Sequence, residues 1–512
     1  MIPPVTDYEA TVCGKIPLHR INSIQPHGAL LVLHPADYTI VQCSLNADVI
    51  LKTDCRHIHG SRFLDLLCPE SHNRFEELLH LAPGTDRLPD TICLRGEGDE
   101  KITVQVLLHR TPEYLILEIE PVDITAEAPT FSGLYQELKR AMAVVNAAPD
   151  MHGACLATLE ELKKLTGFDR LMMYRFDDNW DGTVITEVHE PGMESYLGLR
   201  FPASDIPRVS RNLYQHSPYR HIPDRDYKPV LLSPVVNPLT GTFTDLSACN
   251  LRGVAAVHLE YLRNMGVRSS MSTRLLAQGR LWGLISCHHR EPKHLSYEEA
   301  AIFELLSDML STKVVALEKE RDAESYNRLQ KLQVGLIEQV LVSDDFAGAL
   351  LKEKDRLLDF LGVAGVVIRR HKRLYAQGAV PEAAFVEDLI LWLQSNYDTE
   401  VVALHHLADM YEPAREAAEA ASGIVVIPLR PDQGEYIIGF RPEHVREVFW
   451  GGNPAEAVQW EADGKTYHPR NSFEVWKQTV RGSSRRWTEP EKVMAGRLQH
   501  FLQGYLLREF VR

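Results

Sequence analysis

Between Tyr297 and about Val342 the chain has almost no glycine or proline. Apolar residues there recur every three or four positions, with charges such as Lys319, Glu320, Arg321 and Asp322 between them. At ~1.5 Å per residue such a helix would run about 65 Å. That is longer than one domain is wide, so the run predicts separate domains bridged by a helix whose apolar stripe suits pairing with a second copy. A length of 512 residues is enough for roughly three domains at ~150 residues each.

The bounds on function are broad. A net charge of −15 opposes a chain whose main business is gripping nucleic acid or an anionic membrane. No apolar run approaches the ~18 residues of a membrane helix, and the start MIPPVTDYEATVC lacks the basic-then-apolar order of a signal peptide. A cytoplasmic protein is expected. Its eight cysteines are scattered without a C-x-x-C pair, which suggests neither a zinc site nor a disulfide framework, so free thiols are expected.

Strand and helix signals divide the chain. Gly28–Leu33, Tyr38–Ser44, Ile102–Leu108 and Tyr114–Ile119 read as strands of a first α+β domain. A polar stretch near Ala126–Ser132 leads to helical spacing over Leu134–Val145 and Cys155–Thr166. Strands at Leu171–Phe176, Val184–Val188, Ser269–Leu276 and Leu281–Cys287 follow, and together they make a second α+β domain from about 130 to 300. A third has a strand at Val363–Arg369, a helix at Pro381–Asn396 and a strand at Gly423–Leu429. Its stretch Arg441–Trp487 is rich in Trp, Gly, Pro and Arg with weak periodicity, which in a compact domain is usually functional. Thr488–Glu491 starts a last helix, expected to run to Arg512.

No Walker A loop, G-x-S-x-G, H-E-x-x-H or G-x-G-x-x-G motif is present, which lowers the prior for an NTPase or a hydrolase. Polar and aromatic residues instead cluster between about Tyr196 and Tyr261. In Phe201-Pro202-Ala203-Ser204-Asp205-Ile206-Pro207, Ser204 or Asp205 reads as the cap of a helix with Pro207 in its first turn. A second, compatible reading is an acid held by two prolines against a ring of N–H donors. His258, in the apolar helical stretch Val254–Tyr261, is either a core histidine or a functional one. His288 and His289 follow a strand without a matching third metal ligand. Arg220, Arg252 and Arg263 with Ser270, Ser272 and Thr273 either hold an anionic group or form a solvated surface. Cys13 lies in an irregular tail, as an inert surface thiol or a reactive one.

Taken in order, Cys13, Ile24-Gln25-Pro26-His27-Gly28, PASDIP at 202–207, Tyr261–Gly266 and Leu281–His289 resemble the bacteriophytochromes. Trp450–Pro454 and Pro469-Arg470-Asn471-Ser472-Phe473 are similar to that family's tongue motifs. The resemblance covers essentially the whole chain and implies an α+β multidomain protein: a PAS domain at 1–125, a GAF domain at 130–300, a PHY domain at 301–487 with its tongue about 441–487, and a coupling helix at 488–512. It further implies a red and far-red photoreceptor that carries biliverdin IXα and converts between Pr and Pfr. By the same resemblance Cys13 forms a thioether with the pigment, and the Asp205 main chain meets the pyrrole nitrogens within Asp205-Ile206-Pro207 while its side chain reaches Arg470. His258 would serve the ring nitrogens, His288 the D-ring carbonyl, and Tyr174, Phe201, Tyr214 and Tyr261 the D-ring surroundings. Arg220, Arg252, Ser270 and Ser272 would hold the propionates, with Ser472 beside Arg470 in the tongue. The family's W-x-x-x-V-x-G-x-S-x-P-W run appears as Trp476–Trp487 with Arg486 in place of its proline, which restores an N–H and relaxes the backbone. A homodimer, an output domain beyond a coupling helix cut short at Arg512 (a histidine kinase or a diguanylate cyclase) and a response regulator are the expected partners. The alternatives are a bilin reductase and a ligand sensor without photoactivity.

Overall fold

The computed structural model describes residues 18–53, 58–81, 88–96, 100–122, 131–353, 355–456, 458–460 and 467–509. Cys13 lies outside them, as do the last three residues of the expected terminal helix. The chain divides into two compact units, Met1–Val315 with Phe449–Trp476, and Ala316–Val448 with Lys477–Arg512.

The first unit holds two large sheets and a two-stranded one formed by Val458–Trp460 and Tyr467–Pro469. One runs Ser23–Ile24, Val230–Ser233, Ile40–Ser44, Ala29–Leu33, Leu115–Pro121, Lys101–Arg110 and Leu88–Arg95 in spatial order. Ala29–Leu33 is wholly buried and Leu115–Pro121 nearly so. Their side chains meet Phe63, Phe75, Val104 and Val106 on one face and Leu246, Cys249 and Leu251 on the other. Val230–Ser233, from far along the chain, was not foreseen in this sheet. It pairs with Ser23–Ile24 on one side, while Gln25 N–H donates to Leu251 O at 2.7 Å and Gly253 N–H to Ser23 O at 2.7 Å on the other. Residues 230–253 thus flank the N-terminal segment on both sides. The Glu118 carboxylate, 1% exposed, ties this junction by accepting from the Asn250 N–H at 3.0 Å, the Leu251 N–H at 2.5 Å and His109 Nε2 at 2.5 Å.

The second sheet contains Tyr219–Ile222, Ser269–Ala277, Arg280–His289, Arg170–Phe176, Gly182–His189 and Arg200–Phe201, extended where Trp450 pairs in parallel with Arg200. The strand at Arg280–His289 admits no side chain at Gly283, where a Cβ would stand 2.0 Å from the Tyr174 carbonyl. Helices Phe131–Ala147 and Met151–Thr166 contain the helical stretches read from the sequence.

In the second unit a five-stranded sheet runs Arg373–Gly378, Gly365–Arg370, Glu435–Arg441, Gly423–Arg430 and Val402–Leu404. The helix Ala383–Asn396 packs Val386, Leu389 and Leu393 against Ile438 and Phe440 on one face. On the other, Leu329, Leu336 and Val340 of the long helix join Met494, Leu498 and Leu502 of the helix Glu489–Glu509. The long helix is continuous from Tyr297 to Leu341. Among the described residues no helix is long and apolar enough to cross a membrane.

Two expectations need correction. Cys68 and Cys93 are joined in a disulfide, although free thiols were expected. The partners lie 25 residues apart, and a backbone hydrogen bond from Cys68 N–H to Cys93 O at 2.9 Å sets them side by side, a proximity that spacing does not reveal. Neither Ser204 nor Asp205 caps a helix: Ala203–Asp205 forms a single 3-10 turn, and the helix Arg208–His216 begins after Pro207 without a side-chain cap.

Candidate functional site

Strand register creates one face of a cavity of about 230 Å3 in the first unit. Ile222 stands opposite Ser270, which stands opposite His288; Arg220 stands opposite Ser272, which stands opposite Ser286. Side chains two positions apart share a face of a sheet, so these two rows present six side chains together, and all six line the cavity. Facing them are Asp205, Ile206 and Pro207 and, from the helix Ala256–Asn264, His258 and Tyr261. Tyr174, Phe201, Tyr214 and Arg252 complete the wall, so every described residue that the sequence reading put around a pigment borders this cavity. Arg263 and Thr273, weighed there as anion holders, do not: Arg263 pairs with Asp226 at 3.1 Å and Thr273 Oγ1 meets Ser307 Oγ at 2.6 Å.

One end is cationic. Arg220 donates to the Asn250 carbonyl at 2.9 Å, to the Gly253 carbonyl at 3.0 Å and to the Arg252 carbonyl. Arg252 donates to the Ser247 carbonyl at 2.9 Å. Backbone carbonyls hold both guanidinium groups in place at the edge of the cavity. Tyr214 OH meets Ser272 Oγ at 2.7 Å beside them.

The other polar centre is Asp205. Its Oδ1 accepts from Arg470 Nη2 at 2.7 Å and its Oδ2 from Tyr261 OH at 3.2 Å, with the two charged side chains only 5% and 2% exposed. Burial pushes the Asp205 carboxyl up to about 6 despite the opposing pull of Arg470 and Tyr261. Arg211 Nη1 braces the segment through the Ile206 carbonyl at 2.7 Å, and the Ala203 N–H donates to Asp181 Oδ1 at 3.0 Å. Arg470 is held by its own donation to the Gly451 carbonyl at 2.5 Å and by Asn264 Nδ2, which donates to the Arg470 carbonyl at 3.0 Å. Ser472 is exposed and outside the cavity; its Oγ accepts from the Glu474 N–H at 3.3 Å.

Both histidines are neutral near pH 7. Desolvation, then Arg220, lowers His258 from its usual value although its ring is open to the cavity; burial, then Arg170 and His258, brings His288 to about 3. His258 stacks on Tyr261 at 6.1 Å, three residues on in the same helix. His288 Nδ1 is buried without a hydrogen-bond partner, a costly state that a polar ligand group would relieve. Reading single residues missed Ser286, Tyr219, Met265 and Pro469, which also line the cavity. Ser286 was recoverable, being two residues before His288 in a strand.

A cavity with aromatic walls, a cationic end and neutral imidazoles, among small mixed α/β domains joined by a long helix, defines a ligand-binding sensory module. The chain matches the family models described as PAS fold over residues 13–122, GAF domain over 150–314 and Phytochrome region over 329–510. It is 35% identical over 498 residues to Cyanobacterial phytochrome B of Nostoc sp., covering 97% of this chain and 66% of that protein. To a Bacteriophytochrome of Xanthomonas campestris pv. campestris it is 32% identical over 488 residues, covering 93% of this chain and 76% of that protein. The photosensory core module of Stigmatella aurantiaca phytochrome superposes with a TM-score of 0.86 at 34% identity, over 97% of this chain and 98% of that one. The chain belongs to the phytochrome family, as a PAS–GAF–PHY module of these photoreceptors. It spans about two thirds of the length of the first curated relatives, 66% and 65%.

Membership implies a linear tetrapyrrole chromophore, and the residues present fit one. The half-buried Arg220 and buried Arg252 suit carboxylates, Tyr174, Phe201 and Tyr261 suit flat conjugated rings, and the orphaned Nδ1 of His288 suits a polar ring substituent.

Proposed function

We propose that the chain binds biliverdin IXα through a thioether at Cys13 and converts under red and far-red light between Pr and Pfr states. The observation that carries this reading is the single cavity onto which Arg220, Arg252, His258, His288 and Asp205 converge. When bound, the pigment supplies visible absorption and a photoisomerisable double bond. Arg220 and Arg252, with Ser270 and Ser272, hold its propionates; the Asp205 main-chain carbonyl and His258 serve the ring nitrogens; neutral His288 hydrogen-bonds the D-ring carbonyl. Tyr174, Phe201, Tyr214 and Tyr261 enclose that ring and exclude water. Cys13 adds its S–H across a vinyl group, the proton passing to carbon and nothing leaving.

Residues 449–476 are covalently continuous with the second unit at both ends. The Asp205–Arg470 pair is therefore the joint at which a change beside the pigment reaches the rest of the chain. The domain limits proposed are those read from the sequence, 1–125, 130–300 and 301–487 with a coupling helix at 488–512. The helices at Tyr297–Leu341 and Glu489–Glu509 serve a homodimer, and the output in the whole protein is a histidine kinase with its response regulator, or a diguanylate cyclase.

The test is to incubate the purified chain with biliverdin and separate it under denaturing conditions. Pigment should migrate with wild-type chain and be released from Cys13→Ser. Failure to take up biliverdin, or pigment still attached to Cys13→Ser, would refute the assignment.

A further inference from the structure

Within the first unit the helix Ala256–Asn264 meets the strand Tyr467–Pro469. Glu260 and Asn264 are four residues apart and so share one face of that helix. From this face Asn264 Nδ2 donates to the Arg470 carbonyl at 3.0 Å and to Asn471 Oδ1 at 3.3 Å. One turn earlier, both carboxylate oxygens of Glu260 accept from His468 Nδ1, at 3.1 and 3.0 Å. The neighbours of this second pair are the two residues that hold the Asp205 carboxylate: Tyr261 follows Glu260 directly, and Arg470 stands two places after His468. Phe473 packs edge-on against Tyr261, with ring centroids 5.2 Å apart, and closes the same contact.

The His468–Glu260 contact differs from the others in exchanging protons with water. Its imidazole is 40% exposed and its carboxylate 32%, against 2% and 5% for Arg470 and Asp205. Imidazoles ordinarily titrate near pH 6.5 and carboxylates near 4.3, so a histidine–glutamate pair is a single-charge hydrogen bond at about pH 8 and an ion pair between about 5 and 6. An ion pair that only the protonated ring can form stabilises the docked strand at the acidic end of this interval and is lost as pH rises through it. The other charges on the elements that meet here are engaged elsewhere: Arg263 pairs with Asp226 at 3.1 Å and Arg470 with Asp205 at 2.7 Å. His258 borders the cavity, and Gln459, opposite His468 in the two-stranded sheet, carries no charge.

We propose that His468 and Glu260 are positioning residues for the Asp205–Arg470 pair, a proton-dependent latch that holds the strand Tyr467–Pro469 on the helix Ala256–Asn264 more tightly in mild acid than in mild alkali. Docking of the 449–476 segment thereby responds to pH as well as to events in the cavity. No sequence motif announces the latch, because its partners lie 208 residues apart. What the docking of Arg470 transmits rests on the proposed function; the latch itself operates without pigment or light, so its failure and that of the pigment assignment are separate results.

The experiment follows hydrogen–deuterium exchange of the full chain, without added tetrapyrrole, at about pH 5.5 and about pH 8, each rate being divided by the intrinsic rate of the unstructured peptide at that pH. In wild type, protection of residues 467–473 should be ~2–5-fold greater at the acidic pH than in His468→Gln or Glu260→Gln, with the double variant no less protected than either single one. Asp205 titrates near 6 in all of these chains, so its contribution cancels in the comparison. His468→Gln keeps a neutral N–H donor and should match wild type at about pH 8, which checks that the variant folds. The same ratio of acidic to alkaline protection in wild type and His468→Gln, or a wild-type ratio in Glu260→Gln, would overturn the proposal.

Discussion

Asp205 is a carboxylate between two walls, with a cavity on one side and the guanidinium of Arg470 on the other. Its carboxyl is raised from 3.8 to about 6, burial being the dominant cause. The native state therefore holds this proton more tightly than the unfolded chain does, and its contribution to stability falls as pH rises through that window. Arg470 and Tyr261 pull in the opposite direction. In Arg470→Ala the carboxyl should titrate above 6, so that infrared spectroscopy finds its protonated C=O stretch at a pH where wild type is ionised; identical titration curves would contradict the pairing. As a sequence, Asp205 beside Pro207 looked like a helix cap, since the acid-before-helix pattern is local. Arg470, its partner 265 residues away, entered only through the motif Pro469–Phe473 and the family likeness. His258 and His288 were ambiguous for a related reason: a histidine among apolar residues is legible, whereas the cavity beside it is not.

At the scale of elements, segments with strong local patterns were readable, and those defined by distant partners were not. The long helix, the strands Ser269–Ala277 and Arg280–His289 and the helix Ala383–Asn396 follow the apolar spacing within a few residues. Val230–Ser233 was invisible because a short strand joining a sheet far back in the chain leaves no local signature. The disulfide between Cys68 and Cys93 was missed in the same way. Weak periodicity between Arg441 and Trp487 was a sound signal of unusual structure. In the structure that stretch holds short strands at Arg446–Gly451, Val458–Trp460 and Tyr467–Pro469. Gly452 sustains the arrangement at φ +96, where an added Cβ would lie 2.4 Å from the Ser472 carbonyl and 3.1 Å from Arg470 Nη1. Gly452→Ala should cost about 1–2 kcal/mol locally. It should also speed amide exchange across residues 449–476 while the second unit's core keeps its protection. Unchanged exchange there would show that the glycine is not needed.

At the scale of the whole molecule, the two units have separate cores: one unit carries the cavity, and the other has a sheet between helices. This division puts ligand chemistry in one unit and reaches the other along the backbone, through the long helix and through both ends of the 449–476 segment. The chain should therefore behave as a switch with two stable spectral states, set by whether the contacts around the cavity and the Asp205–Arg470 pair are in one arrangement or another. The most direct test is to load the full chain with biliverdin and record its absorption during alternating red and far-red illumination. The account predicts two spectra that interconvert reversibly over repeated cycles, and a chain that takes up the pigment yet shows one spectrum unchanged by light would contradict it.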